Sequence, residues 1–211
     1  MLECAQDAVS GGAARQDILR TVSTPSQPDH SRTQNMVVAF TGFMGSGKTS
    51  TGRALAELLE WEFIDLDEYI EQQHLTPIRQ LFREQGETAF RAIEHEALRD
   101  CLAGRSGPTI LALGGGTFIQ PNNVELLRAS EARTVFLSTP LEAMLVRSGV
   151  EDEPDLENPR PLAADSSAFR RLYEQRLPSY RVADLTIETS GKTAEKIAGE
   201  IAESLQLRAN R

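Results

Sequence analysis

The chain has 211 residues, 40% of them hydrophobic and 25% charged, with a formal net charge of −9 at pH 7. That length suits one domain, or one domain and a tail, with enough apolar material for a core, and the negative balance argues against nucleic acid as a partner, because a phosphate backbone needs a basic footprint. The two cysteines, Cys4 and Cys101, allow no disulfide framework and no zinc-ligand spacing, and no apolar run reaches the ~18 residues of a membrane-spanning helix. A reduced, cytoplasmic chain with no membrane partner is therefore expected, and a small acidic surface is compatible with a monomer.

Residues 1–35 read as a disordered N-terminal extension. The stretch "VSTPSQPDHSRTQN" is polar and rich in Pro and Ser. A transit peptide is the sharper alternative, weakened by Glu3, Asp7, Asp17 and Asp29, since such peptides are poor in acids. The folded domain is expected over 36–211. Met36 to Phe40 is a short apolar run that reads as a buried strand. It leads into Gly42-Phe43-Met44-Gly45-Ser46-Gly47-Lys48-Thr49, which fits the phosphate-loop pattern G-x-x-x-x-G-K-[ST] at every fixed position. Ala54, Leu55, Leu58 and Leu59 follow at helical spacing, so the loop lies between a strand and a helix. Its glycines allow close backbone approach and positive φ. Successive N–H groups then form an anion-binding concavity at a helix N-terminus. Gly45, Ser46, Gly47, Lys48, Thr49 and Ser50 form the expected nucleotide-binding stretch. Lys48 would reach the β- and γ-phosphates, and the Thr49 hydroxyl would ligate Mg²⁺.

Next comes "EFIDLDEYIEQ". On an extended backbone Asp65 and Asp67 would share a face; one could serve Mg²⁺ through water while the other meets a substrate hydroxyl. The competing reading is a helix N-cap with a first-turn acid. Residues 76–103 are helix-rich. Cys101 falls in phase with Phe90, Ile93, Ala97 and Leu98, as a small core filler would. Arg91 flanks the same stripe and either snorkels, the favoured reading from pattern alone, or faces an anion. Thr109 to Leu113 reads as a strand running into Gly114-Gly115-Gly116, whose N–H groups a ligand could approach. A strand at 133–139 and a helix ending at Gly149 follow. "EDEPDLENPRPLAAD" is a polar loop, and "SAFRRLYEQRLPSY" is helical up to Pro178. A last strand ("ADLTIET") and a helix from Thr193 to Leu207 close the chain. His30, His74 and His95 show no metal-ligand spacing and read as solvated. Alternating strands and helices imply α/β architecture with a parallel sheet covered on both faces. In such sheets ligands bind beyond the carboxyl ends of the strands, which gathers the loop, the Asp pair and the glycine run at one edge.

The motifs "GFMGSGKTSTGRALA", "FIDLDEYIE", "IRQLFREQGETAFRAIE", "LALGGG", "NPRPL" and "EQRLPSYRVAD" occur in that order. Together they resemble shikimate kinase, a small P-loop kinase of aromatic amino-acid biosynthesis, from about Val37 to Leu207. The resemblance implies phosphorylation of shikimate by ATP with Mg²⁺. It implies a P-loop, three-layer fold with a five-stranded parallel sheet, a helical substrate-binding segment near 66–95 and a lid near 149–166. It assigns the shikimate carboxylate to Arg91 and Arg176, and the ring hydroxyls to Asp67 and the backbone of the Gly114–Gly116 run. It assigns Mg²⁺ to Thr49 and, through water, Asp65. Lys48 and the lid residue Arg160 would stabilise the transferring phosphoryl group, with Arg147 and Lys192 near the adenine. One feature departs from the pattern: the lid is long and carries Glu151, Asp152, Glu153, Asp155 and Glu157, which should repel a triphosphate and are expected to face solvent. Another small-molecule kinase, such as a gluconate kinase, shares the loop but not the Arg91 and Arg176 pair with the glycine run. A non-catalytic nucleotide-binding relative is disfavoured by the presence of Lys48, Asp67 and Arg160.

Overall fold

The computed structural model of the chain describes residues 35–149 and 166–209. Five parallel strands form one sheet: β1 (Val37–Thr41), β2 (Glu62–Asp65), β3 (Thr109–Ala112), β4 (Arg133–Ser138) and β5 (Leu185–Glu188), in the order β2-β3-β1-β4-β5. Seven helices are described: α1 (Lys48–Leu59), α2 (Leu66–His74), α3 (Ile78–Ala103), α4 (Pro121–Ala129), α5 (Leu141–Arg147), α6 (Ser166–Tyr180) and α7 (Ala194–Ser204). A single 3-10 turn covers Thr117–Ile119. Phe40 of the central strand pairs with Ala112 of β3 and Val135 of β4.

The central strands β1 and β3 are buried at every position because both faces of the sheet are covered, whereas the edge strands β2 and β5 are only partly buried. Successive side chains point to opposite faces. Val37 and Ala39 therefore join a core with Leu66, Phe90, Leu98, Phe169 and Tyr180. Val38 and Phe40 join the opposite core with Leu55, Leu59, Trp61, Ile197 and Ile201. α1 and α7 cover this second face, and α2 to α6 cover the first. The result is the expected three-layer α/β/α arrangement, and it sets the phosphate loop at the carboxyl end of the central strand.

Four expectations change in detail. α4 is not among the elements expected from sequence; its nine residues bury only Asn123 and Leu127, too sparse a stripe to give a helical period. α6 does not stop at Pro178 but runs through it to Tyr180. A helical proline removes one N–H and leaves the carbonyl four residues back unpaired; here that residue is the exposed Glu174, where water can serve it. α3 is bent at Gly86, whose φ of 79° and ψ of 171° are not helical. His95 is not a solvated surface histidine: its Nδ1 lies 2.7 Å from Asn123 Oδ1. His74 is exposed as expected, whereas His30 lies outside the described residues. Cys101 is buried as a core filler, and burial pushes its thiol up to about 12. Among the described residues no helix is long and apolar enough to cross a membrane. The extension at 1–35 lies outside the described residues except for Asn35. Of the lid at 149–166, only its end residues Gly149 and Ser166 fall within them.

Candidate active site

The loop after β1 turns on positive φ at Gly42 (146°), Gly45 (75°) and Gly47 (91°). A Cβ on Gly45 would also lie 2.9 Å from the carbonyl oxygen of Met144, so this position excludes a side chain twice over. Gly47 is the N-cap of α1 and offers no side-chain acceptor. The first-turn N–H groups and the positive end of the helix are thus presented to an anion. Phe43 anchors the loop from below, fully buried and edge-on to Phe169 at 4.9 Å and to Tyr173 at 5.5 Å.

Lys48 folds back over the loop, its Nζ donating to the carbonyls of Gly42 (2.9 Å) and Phe43 (3.0 Å). Burial pulls its pKa down to about 8, against the opposing charges of Asp67 and Asp65. Thr49 Oγ1 donates to Asp65 Oδ2 at 2.7 Å. Asp65 ends β2 and caps α2, its Oδ1 accepting from the N–H groups of Asp67 (3.0 Å) and Glu68 (3.4 Å). The helix N-cap reading of Asp65 therefore holds for one oxygen, while the other accepts from Thr49. Asp67 sits in the first turn of α2, as in the competing helix reading, and not on an extended backbone sharing a face with Asp65. Burial, then the neighbouring charge of Asp65, raises its pKa to about 6, with Lys48 opposing.

The three successive glycines do separate jobs. A Cβ on Gly114 would lie 2.6 Å from Asp67 Oδ1, so Gly114 makes room for the carboxylate. One on Gly116 would lie 2.5 Å from Arg91 Nη1. One on Gly115 would meet only ordinary contacts, at 3.8 Å from the Met44 nitrogen and 3.9 Å from Arg176 Nη1. The run thus brings the phosphate loop, Asp67, Arg91 and Arg176 to one cleft.

Arg91 is turned inward, its side chain 17% exposed, and does not snorkel. Its Nη1 donates to Glu94 Oε2 at 2.9 Å and its Nη2 to Glu87 Oε1 at 3.3 Å. The Phe82 and Phe90 rings each lie 5.6 Å from its guanidinium carbon. Two carboxylates and two rings hold the group in place where an aliphatic stem alone would let it swing outward. Sequence reasoning singled out neither Glu94 nor Thr117. Glu94 is 1% exposed and accepts from Thr117 Oγ1 at 2.7 Å. Asn123 Nδ2 donates to the Thr117 carbonyl at 3.0 Å. The available signal was an acid three positions after an arginine on one helix face. Arg176 Nη1 donates to the Gly115 carbonyl at 3.2 Å. The Nε atoms of Arg91 and Arg176 are buried without a partner among the described residues.

Around the far side of the loop, Arg147 Nη1 donates to the Gly45 carbonyl at 3.4 Å. Ser46 is held through Thr139, whose Oγ1 donates to the Ser46 carbonyl at 3.1 Å and lies 2.8 Å from Thr189 Oγ1. Lys192 follows Thr189 and is paired with Glu200 at 2.6 Å. Ser50 is exposed in the first turn of α1. Arg160 and the acids Glu151, Asp152, Glu153, Asp155 and Glu157 lie outside the described residues.

Among the described residues no group of three His, Cys, Asp or Glu could form a protein-only metal cage. The Thr49 hydroxyl and the Asp65 carboxylate are instead paired oxygen donors beside the phosphate cradle. That set suits a hard cation such as Mg²⁺, which keeps its waters and shares phosphate oxygens.

The family model described as shikimate kinase matches residues 44–206. The chain is 38% identical over 172 residues to shikimate kinase of Moorella thermoacetica, covering 80% of this chain and 94% of that one. It is 40% identical over 174 residues to shikimate kinase of Lactococcus lactis, covering 82% and 99%. The fold superposes on shikimate kinase from Acinetobacter baumannii, solved in complex with shikimate, with a TM-score of 0.72 at 35% identity, covering 82% of this chain and 94% of that one. The loop, the inward arginines and the glycine run are thus found in a chain that belongs to the shikimate kinase family.

Proposed function

We propose that this protein transfers the γ-phosphoryl group of ATP to the 3-hydroxyl of shikimate, giving ADP and shikimate 3-phosphate. The observation that carries the reading is the pair Arg91 and Arg176, turned into one cleft on either side of a glycine run that adjoins the phosphate loop. Two guanidinium groups with unpartnered Nε atoms are suited to a small carboxylate, which they can grip bidentately. A neutral sugar or a nucleobase offers no carboxylate to the Nε atoms, which have no partner among the described residues.

Gly45 to Ser50 hold the triphosphate, and Lys48 exchanges the Gly42 and Phe43 carbonyls for the β- and γ-phosphoryl oxygens. Thr49 and, through water, Asp65 would hold Mg²⁺, which would supply neutralisation of phosphate charge. Asp67 orients the acceptor hydroxyl. Its raised pKa suits it to take the proton as the new O–P bond forms and the β,γ-bridging bond breaks. The backbone of Gly114 to Gly116 receives the remaining ring hydroxyls. Arg160, by family resemblance, supplies a second cation from the lid, and Arg147 and Lys192 line the nucleotide's base end. Positioning and charge neutralisation account for the catalysis, as phosphoryl transfer requires.

An acceptor panel tests the reading. ADP release is followed with ATP and Mg²⁺ in the presence of shikimate, of gluconate, and of no acceptor. Release that depends on shikimate is the expected result. Equal or greater release with gluconate would overturn it.

A further inference from the structure

The Gly115 carbonyl accepts from two donors, and the mechanism above uses only one of them. Arg176 Nη1 reaches it at 3.2 Å and the Tyr180 hydroxyl at 2.6 Å. The two residues are one helical turn apart on α6 and so share a face. Tyr180 is 0% exposed, and its ring stacks on Phe136 of β4 with centroids 5.5 Å apart. That stack ties the hydroxyl to the sheet. Arg176 itself lies over the Phe43 ring at 5.8 Å, and its Nε has no partner among the described residues.

With Nη1 held by a carbonyl, the guanidinium has one edge occupied, and the edge bearing the buried Nε has no partner there among the described residues. A planar fork fixed at one donor has little rotational freedom left, so its open edge points in one direction. The anchor is only as rigid as the peptide that provides it. That peptide belongs to a run of three glycines, whose backbone is conformationally permissive, and no side chain on Gly115 restrains it. We propose that Tyr180 is a positioning residue of the acceptor site: its hydroxyl immobilises the Gly115 carbonyl, and that carbonyl aims Arg176 at the substrate carboxylate. The inference rests on the acceptor reading of Arg176 given above.

Tyr180→Phe removes one oxygen and keeps the ring stack. The expected result is a KM for shikimate raised roughly tenfold, from loss of a buried hydrogen bond and of preorganisation. The KM for ATP should not move, and kcat should stay within about twofold. Tyr173→Phe makes the same chemical change on the same helix, away from the glycine run, and should leave the shikimate KM unchanged. A merely structural role would instead move both substrates' KM values with the melting temperature. Two further measurements separate the inference from the reading beneath it. In an Arg176→Ala background, Tyr180→Phe should add little to the shikimate KM. A shikimate analogue with its carboxylate reduced to the alcohol should not distinguish Tyr180→Phe from the parent enzyme. If Arg176→Ala raises the shikimate KM while Tyr180→Phe does not, the inference about Tyr180 is wrong and the acceptor reading stands. If Arg176→Ala has no effect on shikimate, both fall.

Discussion

Asp67 shows how chemistry and stability pull apart at a single side chain. Its carboxyl is raised from 3.8 to about 6 by burial and by Asp65. The folded protein therefore keeps this proton to higher pH than the unfolded chain. Between about pH 4 and pH 6 the folded state binds more protons, so stability falls as pH rises, and the whole cost is present at pH 7. Asp67→Asn should then be more stable than the parent at pH 7, by about 1–3 kcal/mol on the scale of 1.36 kcal/mol per unit. The gain should vanish below pH 4, which denaturant unfolding at the two pH values would show. Lys48 behaves in the mirror sense. Its pKa is lowered from 10.5 to about 8, so its contribution makes the nucleotide-free protein gain stability as pH rises from about 8 to about 10.5. For the free enzyme, kcat/KM should be bell-shaped, with an acid limb near pH 6 for ionising Asp67 and a basic limb near pH 8 for losing the Lys48 charge. A rate that stays flat from pH 5 to 9 would contradict both roles. The sequence showed that these two residues carry charge near a phosphate loop. It did not show the raised carboxyl, because burial at the α2 start depends on Gly114, which is distant in the chain.

At the scale of elements, the glycine run after β3 makes a graded prediction. Gly114→Ala places a methyl 2.6 Å from Asp67 Oδ1, 3.0 Å from Thr117 Oγ1 and 3.2 Å from Glu94 Oε1. Thr117 and Glu94 are bonded to each other and Asp67 lies against them, so the change should cost about 1–3 kcal/mol of stability and most of the activity. Gly116→Ala meets only the far end of Arg91, at 2.5 Å. To make room, Arg91 would have to leave Glu94 and Glu87, so the expected effect is a raised KM for shikimate with a smaller loss of stability than in Gly114→Ala. Gly115→Ala, with nothing closer than 3.8 Å, should be the mildest of the three. Steady-state kinetics and thermal melting of the three variants would check the order. The strands, α1 and the loop were legible because buried parallel strands and a phosphate loop leave local patterns. α4 was not, since only Asn123 and Leu127 are buried along it. Nor was the course of α6 through Pro178, where the lost hydrogen bond falls on an exposed carbonyl. Pattern alone favours a snorkelling Arg91 over one facing an anion, because the space it enters is made by Gly116, which is distant in the chain.

For the whole molecule, the sheet order places β1 in the middle and its loop beside the ends of β3 and β4. The phosphate loop and the glycine run therefore follow two adjacent strands of one sheet, with Phe43 joining the loop to α6. The first strand begins at Val37, so a protein starting at Met36 should keep the fold and the full turnover of the complete chain. A loss of melting temperature or of activity on that truncation would show that residues 1–35 contribute to the domain. ATP with Mg²⁺ should raise the melting temperature by mass action, since the loop exists only in the folded state. The central claim is that one cleft holds a triphosphate against a carboxylated ring whose hydroxyl meets Asp67. It is tested most directly by shikimate-dependent ADP release measured side by side for the parent and Asp67→Asn, both confirmed folded. The account predicts turnover that needs shikimate and that falls by about 10²–10⁴-fold in the variant. Turnover that survives the substitution, or that proceeds without shikimate, would contradict it.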